Sequence, residues 1–155
     1  MPEFVHLHVH TEFSFLDSLV RIPELITAVA EAGMPAVAMT DGASLHGAPL
    51  FMREARRQGV RPIFGVEFEM APRAALESGA AGPDLVAIAE SVEGWCSLVR
   101  LVSEAHVQSA VPGRPVLNES ALLRHSKGLI VLMGGNNGEI SRLCRAGCRD
   151  EAVEM

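Results

Sequence analysis

Apolar positions in this chain come in short runs whose spacing switches repeatedly between two periods. Residues 3–10, Glu-Phe-Val-His-Leu-His-Val-His, alternate polar and apolar side chains with the two-residue period of a strand. After a loop from Thr11 to Arg21, a helix is expected to start at Pro23, which suits a first turn, and to stop at Gly33. Its apolar face carries Leu25, Ile26, Val29 and Ala30. The uncharged run 35–39 reads as a buried strand. Gly47 to Gln58 reads as a helix stopped by Gly59, with Arg53, Arg56 and Arg57 toward solvent, and 61–67 as a third strand. The Gly/Ala/Pro-rich stretch 71–83 reads as a loop, followed by a strand at 84–89. A helix of about fifteen residues then places Trp95, Leu98, Val99, Val102 and Ala105 inward. A loop at 109–117, a short helix from near Asn118, a strand at 128–133 and a helix from near Gly138 complete the pattern.

Strands alternating with helices through short loops imply an α/β chain whose parallel sheet is built from βαβ units with right-handed crossovers, either open and doubly wound or closed as a barrel. In both, functional groups collect at the carboxyl ends of the strands. At 155 residues, 48% hydrophobic and 21% charged, the chain is one globular unit. Its net charge of −6 argues against gripping a nucleic-acid backbone unaided. No apolar run suggests a membrane span or leader, so a cytoplasmic location is expected. Cys96, Cys144 and Cys148 match no disulfide framework.

Placing polar residues on this pattern sets His8 and His10 after the first strand, Asp41 after the second and Glu67 at the end of the third, all on one rim. Histidines at every second position of a strand share a face, and imidazole is a common ligand for transition metals. The plainer alternative is a half-buried strand whose polar face happens to be histidine. His6 lies two residues deeper than the His8–His10 pair and reads as a hydrogen-bond partner to it. His106 falls on the apolar side of its helix, as a ligand or as a core histidine with a satisfied hydrogen bond.

Four segments, Phe4–Asp17, Gly33–Asp41, Gly59–Glu67 and Lys127–Gly135, together resemble the polymerase and histidinol phosphatase (PHP) domain that begins bacterial replicative DNA polymerase III alpha subunits. The likeness runs in order from about residue 3 to residue 145, which makes it far more specific than a lone motif. It implies a distorted (β/α)7 TIM-like barrel, here only its N-terminal part, with no polymerase palm, fingers or thumb. It also implies a cluster of zinc, manganese or iron ions. By position, His8, His10, Asp17, Glu67 and His106 match family ligands, and Asp41 matches an aspartate that orients a loop.

Two positions depart from the pattern. Gly42 stands where active members carry histidine and Gly135 where they carry cysteine, so each deletes a coordinating side chain, and the closing Asp-x-His pair has no counterpart before Met155. A hydrolytic cluster activates water on one ion while another clamps the phosphate, and both need most of their ligands. The resemblance therefore implies weak or absent phosphoesterase activity and a structural domain that docks the proofreading exonuclease subunit. DNA synthesis, its magnesium and contact with DNA would belong to the remainder of the polymerase chain. The competing expectation is a free-standing metal-dependent phosphoesterase of the histidinol phosphatase kind. A barrel cut short should also expose a sheet edge and invite self-association.

Overall fold

In the computed structural model, residues 4–71, 82–109, 113–133 and 135–153 are described. Most of the expected loop 71–83 and part of that at 109–117 lie outside them. The first regular element is helix α1, Ile22–Glu31, with Pro23 in its first turn and Ile22, Ile26 and Val29 buried. It leads into the buried strand β1, Ala36–Met39. Helix α2, Ala48–Gln58, ends at Gly59, whose φ of +72° is the left-handed cap that glycine adopts without strain. Strand β2, Arg61–Met70, continues three residues past the expected end, because the alternation of Val66, Phe68 and Met70 continues too.

Strand β3, Asp84–Ala89, precedes helix α3, Val92–Gln108, which Ser91 caps by accepting a hydrogen bond from the Gly94 amide. The short strand β4, Val116–Leu117, helix α4, Glu119–Arg124, strand β5, Leu129–Met133, and helices α5, Glu139–Ala146, and α6, Arg149–Val153, follow. Helix α3 buries Leu98, Leu101 and Ala105, with Trp95 and Val102 packed against the core as expected, whereas Val99 is 42% exposed. Among the described residues no helix is long and apolar enough to cross a membrane.

The sheet runs β1-β2-β3-β5, with β4 pairing to β2. It is mixed, not wholly parallel: β1 and β2 are parallel, while β3 runs antiparallel to both β2 and β5. One consequence is that β3 begins on the rim where β1 and β2 end. On the helical side, Met52, Ile63, Phe64, Trp95 and Val99 border a cavity of about 890 Å3.

Two apolar clusters hold the layers together. One joins α1 and α2 to β1 through Ile22, Ile26, Val37, Met39 and Phe51. The other joins α3 to β2 and β3 through Val66, Phe68, Leu85, Leu98 and Leu101. Both leave the rim at the end of β1 and β2 to polar side chains.

Candidate metal centre

Residues 6–10 run beside β1 but form no regular strand; a single parallel bridge joins His6 to Val37. The Ala38 amide donates to the His6 carbonyl and the Thr40 amide to that of Val9. Three residues of this segment thus span what two span in β1, an offset like that of a β-bulge. The Thr40 hydroxyl accepts from the Val9 amide at 2.8 Å, taking a donor that a regular ladder would use. A one-residue slip reverses which face a side chain meets. His6 is accordingly parted from the other two histidines, its ring edge-on to Phe4 at 4.7 Å.

His8 and His10 converge on Glu67, which projects from β2. His8 Nε2 lies 3.2 Å from Glu67 Oε1, His10 Nε2 lies 2.9 Å from Oε2, and the two imidazole nitrogens are 3.3 Å apart. Among the described residues this is the group of three or more potential ligands that meets at one point, with all ligand atoms within 4.8 Å of one another. The other ring nitrogen of His10, Nδ1, pairs with Asp17 Oδ2. Bonding to Glu67, opposed by burial and reinforced by Asp17, raises the pKa of His10 to about 9. Without a metal, a proton on His10 therefore supplies the positive charge that the two carboxylates face.

The turn that follows His10 is fixed from beneath. Asp41, fully buried at the end of β1, accepts from the Thr11 amide at 2.6 Å, the Thr11 hydroxyl at 2.8 Å and the Ser14 hydroxyl at 2.7 Å. Its carboxylate orients the loop and makes no contact of this kind with the histidines. Thr11, Ser14 and Thr40 were not singled out in the sequence. Their only advance signal is that small hydroxylated residues follow the histidine run and precede Asp41.

The remaining expected positions are dispersed. Asp17 meets His10 and is not one of the three converging groups. His106, near the end of α3, lies within 2.8 Å of the Ala43 carbonyl and is likewise outside that group. Gly42 forms a parallel bridge with Glu67, and a β-carbon added there would meet no atom within 4 Å; the same holds at Gly135. Asp84 was missed, since the start of a strand was not expected on this rim. It pairs in register with Glu69, and burial, reinforced by the nearby Glu67 and Glu69, raises its pKa.

The family model for the PHP domain matches residues 6–155. This chain belongs to the PHP domain family. As a PHP domain it is homologous to the N-terminal region of DNA polymerase III alpha subunits. It is 38% identical to the DNA polymerase III subunit alpha of Vibrio cholerae over 91% of this chain and 12% of that protein. It is 37% identical to an error-prone DNA polymerase of Symbiobacterium thermophilum over 96% of this chain and 14% of that one. The chain thus spans only about an eighth of the length of these relatives.

Among solved structures, a two-domain protein containing a predicted PHP-like metal-dependent phosphoesterase from Bacteroides vulgatus superimposes with a TM-score of 0.51. The match has 18% identity and covers 93% of this chain and 41% of that one. An amidohydrolase from Chromobacterium violaceum gives 0.50 at 20% identity over 66% of this chain and 33% of that one. At such identities the likeness concerns the fold alone. Two imidazoles and one carboxylate meeting within hydrogen-bond distances form a donor set that suits a divalent metal, and the PHP centre passes that test.

Proposed function

We propose that this PHP domain is part of a bacterial replicative DNA polymerase, holds one divalent ion between His8, His10 and Glu67, and has little or no phosphoesterase activity. The observation that supports the reading best is the convergence of those three side chains beside Gly42, which has no side chain to add. Zinc, manganese or iron would each suit the donors. A bound ion would supply Lewis-acid polarisation of a phosphate oxygen. Asp17 would fix the His10 ring by holding Nδ1, and Asp41 would fix the turn that carries both.

With so sparse a ligand set, the domain would serve the parent enzyme as a platform for the proofreading exonuclease subunit. Joining deoxynucleotides, with its magnesium and its DNA, would fall to the rest of the polymerase chain. The test is metal titration with zinc, manganese and iron beside p-nitrophenyl phosphate hydrolysis. About one ion per chain, lost in Glu67→Ala, with hydrolysis near background, is expected. Brisk turnover abolished by His8→Ala would overturn the reading in favour of a working phosphoesterase. Capture of a purified exonuclease subunit at micromolar concentration tests the platform role.

A further inference from the structure

We propose that His106 is a positioning residue of this centre that acts through the backbone of Ala43 and is not a ligand; the inference rests on the metal reading above. Its Nε2 lies 2.8 Å from the Ala43 carbonyl oxygen. A carbonyl only accepts, so Nε2 must carry the hydrogen and is not free for a metal; the other ring nitrogen, Nδ1, keeps its lone pair, but His106 lies outside the group in which His8, His10 and Glu67 meet. The contact joins residues 63 apart in sequence and ties the end of α3 to the turn after β1.

What that bond holds is a turn with a reason to move. Ala43 has a φ of +44°, a left-handed conformation that costs a residue with a β-carbon about 1 kcal/mol. It is nonetheless 5% exposed and packed in the cluster of Phe68, Leu98 and Ala105. Its amide donates to the Glu67 carbonyl at 2.8 Å, and the Glu67 amide donates to the Asp41 carbonyl at 3.3 Å. Both backbone groups of Glu67 are therefore bonded to residues 41 and 43, around Gly42. His106 secures the one remaining backbone acceptor of Ala43, so the strained residue keeps its conformation and Glu67 keeps its register opposite the histidines. The side chain contributes by fixing where a ligand starts, and no atom of it needs to touch the ion.

Glutamine separates this role from coordination, because its side-chain amide can donate to the same carbonyl. Exchange of the Ala43 amide in the ion-free chain, followed by NMR, and titration with cobalt(II) are compared for wild type, His106→Gln and His106→Ala. His106→Ala is expected to speed Ala43 exchange about tenfold and weaken cobalt binding about tenfold, with the cobalt absorption bands unmoved. His106→Gln is expected to stay close to wild type in all three measurements. The proposal is overturned if His106→Gln loses as much as His106→Ala, if either variant shifts the cobalt bands, or if Ala43 protection survives in His106→Ala. Absence of cobalt binding by the wild type would defeat the metal reading instead, and the ion-free exchange comparison would still decide whether His106 holds the turn.

Discussion

Asp41→Ala is expected to cost about 3–4 kcal/mol, whereas Asp41→Asn is expected to cost about 1 kcal/mol. The carboxylate receives three hydrogen bonds, each at 2.8 Å or less, in a fully buried position. A bond to a charged acceptor contributes about 1.5–3 kcal/mol, but two of these donors are hydroxyls that can turn elsewhere, and removing a buried charge returns part of its desolvation cost. The Thr11 amide cannot turn, and it bears the full loss. Asparagine with its oxygen at the Oδ1 position keeps the Thr11 amide and Ser14 bonds, and its NH2 group can donate to the Thr11 hydroxyl. For a chain of this length, each kcal/mol lowers Tm by about 2–4 °C, so Asp41→Ala should melt about 10 °C low. Calorimetry and urea unfolding give both numbers. If Asp41→Ala stays within about 1 kcal/mol of wild type, the hydrogen-bond argument fails; if Asp41→Asn falls as far as alanine, charge and not geometry holds the turn.

Because the pKa of His10 is raised to about 9, its proton must leave before Nε2 can bind metal; affinity should rise about tenfold per pH unit below that value and level off above it. In the ion-free protein the sign reverses: the raised pKa stabilises the fold below about pH 6.5, and that contribution fades as pH climbs through 9, as melts across this range should record. Gly42→His has open space beside Glu67 and should tighten zinc binding at least about tenfold by calorimetric titration; unchanged affinity would show that the rim cannot take another ligand. Arg114→Ala removes a two-point bond to Glu69 and should cost about 1–2 kcal/mol in urea unfolding. Strand β5 has no charged residue, with Ile130 and Met133 nearly half exposed; Ile130→Lys should suppress concentration-dependent association in sedimentation velocity, and a wild type that stays monomeric would refute the exposed-edge argument.

The helices were legible because their signals are local: Pro23 opens α1, Gly59 closes α2, and apolar positions at helical spacing mark α3. His8, His10 and Glu67 were legible because polar residues at the ends of apolar runs fall on one rim. What escaped depended on partners far along the chain. The offset that parts His6 from the pair involves the Thr40 hydroxyl, 31 residues beyond Val9. The reversed β3, which brings Asp84 to the rim, runs against the strand–helix alternation on either side. The helical period placed His106 on the core side, whereas the residue is exposed and only its Nε2 reaches a protein partner. It could not name that partner, a carbonyl made reachable by the positive φ of Ala43.

The weak attachment of residues 6–10 to β1 has a thermodynamic corollary. Two of the three converging donors sit on a segment joined to the sheet by a single bridge and a few isolated hydrogen bonds, while the third sits on a central strand. An ion between them acts as a cross-link, and its affinity already contains the cost of laying that segment down. Binding and local folding are then one equilibrium seen from two sides: ion at a hundred times Kd stabilises the docked arrangement by about 2.7 kcal/mol. Residues 6–10 would become the part of the molecule whose resistance to proteolysis reports free metal.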